Sequence, residues 1–440
     1  MSTSHEGRAE QALRTDIFAK CSSSRVEEYR VAEATGLNPF YRELSSEIGP
    51  TVVYNGARLV MLGSNNYLGL TTDPRVKKAA AEAVQRYGTG VTGSRLLNGT
   101  LPLHAELEEL LAGWVGQERA LVFTTGYTAN IGLISTLVQA GDAVFCDSGA
   151  HASLVDGARM SEGTLRAFRH NRPNSLRRGL RSWCAQPGAG GVLVAVDGIY
   201  SMGGDWAPLA EIRALCDQYA ARLMVDEAHA IGVVGPAGAG TAAATGVHAD
   251  IVMGTFSKSL ASCGGFIAGP ADLVDYLRLF CRPILFTASN VPAALGAALT
   301  AAKIAQTEHW RRDVVLGLAD RLRKGLVASG FNVGESTESA IVPVHVRDQW
   351  EAGLMWRALL ERGVYSNCSI PPAVPRPMLR TSVMATHTEE HIDTAIRAFE
   401  EIAASGVVDA ERDRVVELFA DLVGGDPVGP EPGIGPGLEP

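Results

Sequence analysis

Short runs of consecutive apolar residues alternate along the chain with longer stretches in which apolar positions recur every three or four residues. The runs "ALVFTTG", "DAVFCD", "GGVLVAVDG", "RLMVDEAH" and "DIVMGTFSK" show no in-and-out alternation, which predicts strands buried on both faces. Between them lie helical patterns, one from about Tyr127 and another around "LAEIRALCDQYA". Strand and helix in turn predict an α/β fold, with a mostly parallel central sheet and helices on both faces. From about residue 295 the pattern changes to Ala/Leu-rich helices and then "AIVPVHV", "GVYSNCS" and "LRTSVMA", the signature of a smaller C-terminal α+β domain. The expected organisation is an N-terminal arm over 1–55, a large domain over 56–295 and a small domain over 296–420. A Gly/Pro tail over 421–440 has no periodic apolar face and is expected to be disordered.

Composition narrows the class of protein. With 440 residues, 46% of them hydrophobic and 20% charged, the chain can bury a large core. A formal net charge of −9 without any Lys/Arg-rich block points away from nucleic acid and from anionic membrane surfaces. The seven cysteines are scattered without a C-x-x-C pair, which argues against a zinc cluster or a disulfide framework, so no metal is expected. No apolar run approaches the roughly 20 residues that span a bilayer, and no apolar segment follows Met1. A cytoplasmic enzyme acting on small molecules is the expectation.

In a sheet of this kind ligands bind beyond the carboxyl ends of the strands. Gly126, Asp147, Asp197, Asp226 and Lys258 stand there. In "LMVDEAHA" Asp226 ends an apolar strand and His229 follows three residues later; the pair reads either as a local cap or as ligands of a protonated heterocycle. In "GTFSK" the hydroxyls of Thr255 and Ser257 flank Lys258, offering anion ligands and an amine within one short loop. "TTGYTAN" sets Gly126 and Tyr127 at a strand-to-helix turn, where free N–H groups suit a phosphate. His151, in "SGAHASLVDG", caps a helix or lies over a planar ring. Each motif alone has a plain structural reading. Together they ask for pyridoxal 5'-phosphate, with Lys258 bonding its carbonyl, Asp226 at its pyridine nitrogen, His151 over the ring and the turn at Tyr127 on its phosphate.

The series "MLGSNNYLGL", "YGTGVTGSRLLNGTLPLHAELE", "HASLVDG", "VDGIYSMGGD", "VDEAHAIGVVG", "GTFSKSLAS" and "MATHT" resembles the α-oxoamine synthase family of fold-type I pyridoxal-phosphate enzymes. The resemblance runs from about residue 36 to 402 and is nearest to soluble bacterial serine palmitoyltransferase-like and 8-amino-7-oxononanoate synthase-like members. It implies decarboxylative condensation of an amino acid (serine, alanine or glycine) with an acyl thioester on coenzyme A or a carrier protein, giving an α-amino ketone. The alternatives are an 8-amino-7-oxononanoate synthase-type activity or a class I/II aminotransferase on the same fold. The resemblance further implies that Asn65 and Arg380 orient the substrate carboxylate and that Ser201 lies near the phenolic oxygen of the cofactor. Asp197 takes the place of an acidic cofactor-binding residue. Ser289 is implied to reach the phosphate of a neighbouring subunit, so a homodimer with shared sites is expected. Ser94 is expected at the thioester entrance, although its stretch also reads as turn chemistry. One departure from the pattern is a shorter linker between "PPAV" and Arg380, which predicts a tighter path for that loop.

Overall fold

The structure is a computed structural model that describes residues 16–335, 338–371 and 373–423. The expected tail lies outside the described residues except for 421–423, which finish the helix Val407–Val423. Five of the seven strands in the main sheet are the five apolar runs: β3 (Arg119–Phe123), β4 (Ala143–Asp147), β6 (Val192–Asp197), β7 (Arg222–Asp226) and β8 (Ile251–Thr255). β5 (Thr164–Phe168) closes one edge, and β9 (Gly265–Gly269) inserts between β3 and β8. The order is β3-β9-β8-β7-β6-β4-β5, with β9 antiparallel to both neighbours and the other pairings parallel.

The missing alternation has a direct cause. On β6, Leu193 and Ala195 join one hydrophobic cluster while Val192, Val194 and Val196 join another on the opposite face. Every side chain of the strand is therefore buried. Close approach of backbones fixes the helical layers as well. A Cβ on Gly296 would lie 2.6 Å from the carbonyl oxygen of Ala79, so helices Pro74–Tyr87 and Pro292–Thr307 meet with no room for a side chain there.

Two smaller sheets complete the fold. β1 (Thr51–Tyr54) and β2 (Ala57–Met61) form a hairpin that β11 (Val364–Tyr365) extends in parallel. β10 (Ile341–His345), β13 (Met378–Ser382) and β12 (Asn367–Ser369) form an antiparallel sheet with β13 in the centre. The hairpin thus pairs with the C-terminal third of the chain, and a boundary at residue 56 falls between its two strands. The segment after β2 is lashed to the same region: Ser382 N–H donates to the Leu62 carbonyl at 2.7 Å and Asn367 Nδ2 to that of Gly63 at 2.7 Å. Ala385 N–H donates to the Tyr67 carbonyl at 2.7 Å. Residues 62–67 are therefore held between the two small sheets and the main one. Among the described residues no helix is long and apolar enough to cross a membrane.

Candidate active site

A cavity of about 520 Å³ opens beyond the carboxyl ends of β6, β7 and β8 and is lined by Lys258, His151, His229, Asn65, Ser201 and Arg380 among others. Lys258 follows β8; its carbonyl accepts from Ala261 N–H at 3.1 Å, while its amine makes no hydrogen bond or ion pair among the described residues. Burial, assisted by the Arg380 guanidinium and opposed by Asp226 and Asp197, pushes its amine down to about 8. A minority of it is then neutral near physiological pH, a far larger fraction than of a free lysine, as a nucleophilic amine requires.

Beneath Lys258 a chain of hydrogen bonds fixes both Asp226 and His151. Asp226, 4% exposed, accepts from Ala228 N–H at 2.9 Å and from Asn130 Nδ2 at 2.7 Å. The second proton of the Asn130 amide goes to Ser153 Oγ at 2.8 Å. Ser153 must then turn its own proton elsewhere, and His151 Nδ1 lies 2.7 Å away. Ser153 N–H also points at Nδ1, at 3.3 Å. Nδ1 is therefore an acceptor, and the neutral ring carries its proton on Nε2. Burial favours this uncharged form, as does Lys258, against the pull of Asp226.

The strand ends around this chain brace it. Asp197 stands beside Asp226 in register, does not line the cavity and accepts from His151 N–H at 3.2 Å. Burial, with the Asp226 charge, holds its carboxyl well above the usual carboxylate range. Asp147, at the end of β4, accepts from Gly149 N–H at 2.7 Å and from His170 Nδ1 at 2.7 Å. His170 reaches Asp205 with its other nitrogen at 2.9 Å, so the turn that carries His151 is clamped by an imidazole between two carboxylates.

The opposite wall holds a guanidinium. Arg380 is the middle residue of β13, paired with Pro343 on one side and Asn367 on the other, so the sheet register fixes it whatever the length of the preceding linker. It is 5% exposed, and among the described residues no carboxylate lies within ion-pair distance of it. Its Nε donates to the Ser201 carbonyl at 2.6 Å, Nη1 to Asn65 Oδ1 at 3.0 Å and Nη2 to Tyr67 OH at 3.3 Å. Of five N–H donors three are engaged, leaving one on each terminal nitrogen, the fork that grips a carboxylate. Tyr67 OH also meets His229 Nδ1 at 2.7 Å. Burial, together with Lys258 and Arg380, holds His229 well below the usual histidine range.

At the third edge the helix Gly126–Leu137 starts with Thr125 as its cap, the hydroxyl accepting from Thr128 N–H at 3.0 Å. The first amides, of Gly126 and Tyr127, belong to the helix end that has no internal acceptor. Glycine is required where the loop after Lys258 meets this end: a Cβ on Gly265 would fall 2.6 Å from Gly126 Cα. Thr255 Oγ1 donates to the Gly264 carbonyl at 3.0 Å and lies 2.9 Å from the exposed Ser257 hydroxyl. Thr255 thus holds the loop, while Ser257 stays open. Tyr127 hydrogen-bonds Asp156 and sets its ring edge-on to His151, with centroids 6.2 Å apart.

The expected residues do not all meet. Gly126, Tyr127, Asp197, Asp226, Thr255 and Ser257 are not among the residues that line the cavity, and neither are Ser94 and Ser289, which border Gly99 together at a separate turn. Ser201 acts on Arg380 through its carbonyl rather than its hydroxyl. The sequence reading passed over Asn130, Ser153, Tyr67 and His170. Three of them stand inside stretches it quoted, and only the long-range partner distinguishes them from ordinary polar positions. The groups present nonetheless fit pyridoxal phosphate: a partly neutral amine, a buried carboxylate with a spare lone pair on each oxygen, an imidazole at the mouth and a free helix N-terminus.

The aminotransferase class I and II family model matches residues 57–399. A serine palmitoyltransferase of Caulobacter vibrioides is 45% identical over 387 residues, which cover 87% of this chain and 95% of that protein. A putative 8-amino-7-oxononanoate synthase 2 of Mycobacterium tuberculosis is 42% identical over 88% of this chain and 50% of its own length. The solved structure of SPT with PLP internal aldimine matches with a TM-score of 0.86 at 38% identity, covering 89% of this chain and 100% of that one. From β2 to the helix beyond β13, the chain therefore belongs to the aminotransferase class I and II family, where its full-length relatives include serine palmitoyltransferases.

Proposed function

We propose that the protein is a pyridoxal-phosphate-dependent acyltransferase of the α-oxoamine synthase type, condensing serine with a long-chain acyl thioester and releasing the carboxylate as carbon dioxide. The observation that carries this reading is Arg380: a buried guanidinium with two free donors and no protein carboxylate, facing the same cavity as a half-buried lysine with a depressed pKa. Bound pyridoxal phosphate supplies an aldehyde that captures amines and a protonated ring that takes up the electron pair left at the α-carbon. Asp226, pinned by Asn130 and Ala228, accepts the hydrogen bond of the ring nitrogen and keeps that proton in place. Lys258 is the amine that would hold the aldehyde, with loss of water, and its Nζ, freed when the substrate amine takes its place, would accept the α-proton.

Arg380 grips the substrate carboxylate while Asn65 and Tyr67 hold the guanidinium. That grip sets which α-carbon bond stands perpendicular to the ring, and so which bond breaks. His151 presents Nε2–H to the cavity as a donor, suited to an oxyanion growing on the thioester carbonyl. Gly126, Tyr127 and Ser257 take the phosphate, with Thr255 holding their loop. Cytoplasmic location and an acyl thioester on coenzyme A or a carrier protein are part of the same reading.

A homodimer belongs to it as well. Leu96 and Leu97 are 54% and 78% exposed, and Phe286 and Val291 are 73% and 48% exposed. Their two segments are joined by the bond from Ser289 N–H to the Gly93 carbonyl at 2.9 Å. Large exposed apolar side chains on two joined segments favour a protein partner, here a second copy.

The test is to incubate the purified protein with serine, alanine and glycine in turn, each with and without palmitoyl-CoA, following free thiol. Thiol release with serine that requires both substrates is expected. Formation of pyridoxamine phosphate without thiol release would replace this reading with an aminotransferase.

A further inference from the structure

The turn that holds Ser94 and Ser289 contains a buried histidine with a single possible protonation pattern. His104, fully buried on helix Pro102–Trp114, receives Leu101 N–H on Nδ1 at 3.0 Å. A nitrogen that accepts an amide proton carries none of its own, so the proton of the neutral ring sits on Nε2. The doubly protonated ring would point Nδ1–H at the Leu101 amide; burial and the nearby Arg95 charge oppose that form too, pushing His104 down to about 3. Nε2 lies 3.1 Å from Ser289 Oγ and must donate to it.

Ser289 is left with one proton to place. Its side chain is nine-tenths buried, and His104 is the only hydrogen-bond partner of its hydroxyl among the described residues. Its own N–H is spent on the Gly93 carbonyl. A Cβ on Gly99 would touch Ser289 Cβ and the Ser94 carbonyl, each at 2.8 Å, so the two serines border one point. Ser94 Oγ is also buried without a partner. One hydroxyl without a partner beside another whose acceptor side is filled by an imidazole, both bordering Gly99, call for an acceptor from outside the chain.

We propose that His104 is a positioning residue: by donating Nε2–H to Ser289 Oγ it forces the Ser289 hydroxyl to act only as a donor, aimed at a phosphoryl oxygen of the cofactor held by the second copy of the chain. This rests on the cofactor and dimer readings above. The exposed apolar side chains that flank Ser289 on the same two segments place this hydroxyl on the face that a second copy covers. A histidine in the opposite tautomer would accept the serine proton and leave nothing for the phosphate.

The experiment titrates cofactor-free protein with pyridoxal phosphate and, separately, with pyridoxal, following the absorbance of the bound aldehyde, with melting temperature as the folding control. His104→Asn keeps an acceptor for the Leu101 amide but cannot reach Ser289; His104→Gln places an amide N–H near the original Nε2. Loss of one charge-assisted hydrogen bond predicts a roughly tenfold weaker Kd for pyridoxal phosphate in both Ser289→Ala and His104→Asn. The double variant should be no weaker than Ser289→Ala, and His104→Gln should recover part of the loss. Pyridoxal, which lacks the phosphate, should bind all four proteins like the wild type. Wild-type affinity for pyridoxal phosphate in His104→Asn, with only its melting temperature lowered, would reduce His104 to a helix cap and overturn the inference. Equal losses for both ligands would also overturn it. A wild-type chain that captures neither aldehyde overturns the cofactor reading itself, and this inference with it.

Discussion

The Lys258 cavity has two walls built by different means. One runs from His151 through Ser153 and Asn130 to Asp226, and every member follows or abuts a strand end of the seven-stranded sheet. The other joins Arg380 from β13 to Asn65, Tyr67 and the Ser201 carbonyl, and through Tyr67 to His229. It draws on four segments that meet only where the small sheets close against the large one. The first wall inherits the rigidity of a parallel sheet buried on both faces. The second depends on closure, since a shift of the small sheets, which carry residues 62–67 with them, would part Arg380 from the Ser201 carbonyl and Tyr67 from His229. A cavity made this way can hold a cofactor on the fixed side and gain its grip on the substrate from the side that closes. The difference teaches that binding of cofactor and of carboxylate should be separable by mutation.

Lys258→Ala removes the residue the walls share and should lower turnover by about 10³-fold or more, measured as thiol release, because both bonding to the aldehyde and proton transfer are lost. Next in size is Arg380→Lys. It forfeits two charge-assisted hydrogen bonds worth about 1.5 to 3 kcal/mol each, so kcat/KM for serine should fall by roughly 10²-fold or more. Cofactor affinity should stay at the wild-type value; a matching loss in a pyridoxal phosphate titration would break the separation of the walls.

Asn130→Ala acts on the other side. Freeing Asp226 and Ser153 should weaken pyridoxal phosphate binding by roughly tenfold, again from loss of a hydrogen bond to a carboxylate, with the KM for serine unchanged. Steady-state kinetics at saturating cofactor separate the two parameters. The smallest effect concerns the clamp beneath His151. Burial works against a charge on His170, but its bonds to Asp147 and Asp205 outweigh that and push it up to about 10. A folded-state value above the unfolded one stabilises fully below about 6.5, and the contribution fades as pH rises through about 10. The melting temperature of His170→Gln should therefore lie furthest below wild type at pH 6 and draw level toward pH 10. A gap that is constant across this range would mean that the clamp holds without its charge.

The sequence was legible where chemistry follows local pattern. Continuous apolar runs marked β3, β4, β6, β7 and β8, because strands buried on both faces have no polar side to show. Residues just after those runs were sought as ligands on general grounds, and the structure places Lys258 and His151 at the cavity with Asp226 beneath them. β5 and β9 escaped the same reading. β5 is an edge strand with exposed positions, and β9 starts at a glycine whose role is to let the backbone touch Gly126.

By itself, then, the sequence determined the five doubly buried strands, the ligand-binding end of their sheet and the residue types available there, all of which depend on periodicity over a few neighbours. Only the tertiary structure decided which polar groups pair: Asn130 with Asp226 across 96 positions, and Arg380 with Asn65 across 315. It also turned Ser201 to offer a carbonyl, withdrew Asp197 from the cavity to brace the His151 turn, and grouped Ser94 and Ser289 away from Lys258. The physical reason is that a buried polar group must be satisfied by whatever the closed chain brings within about 3 Å, and no local pattern records what that will be.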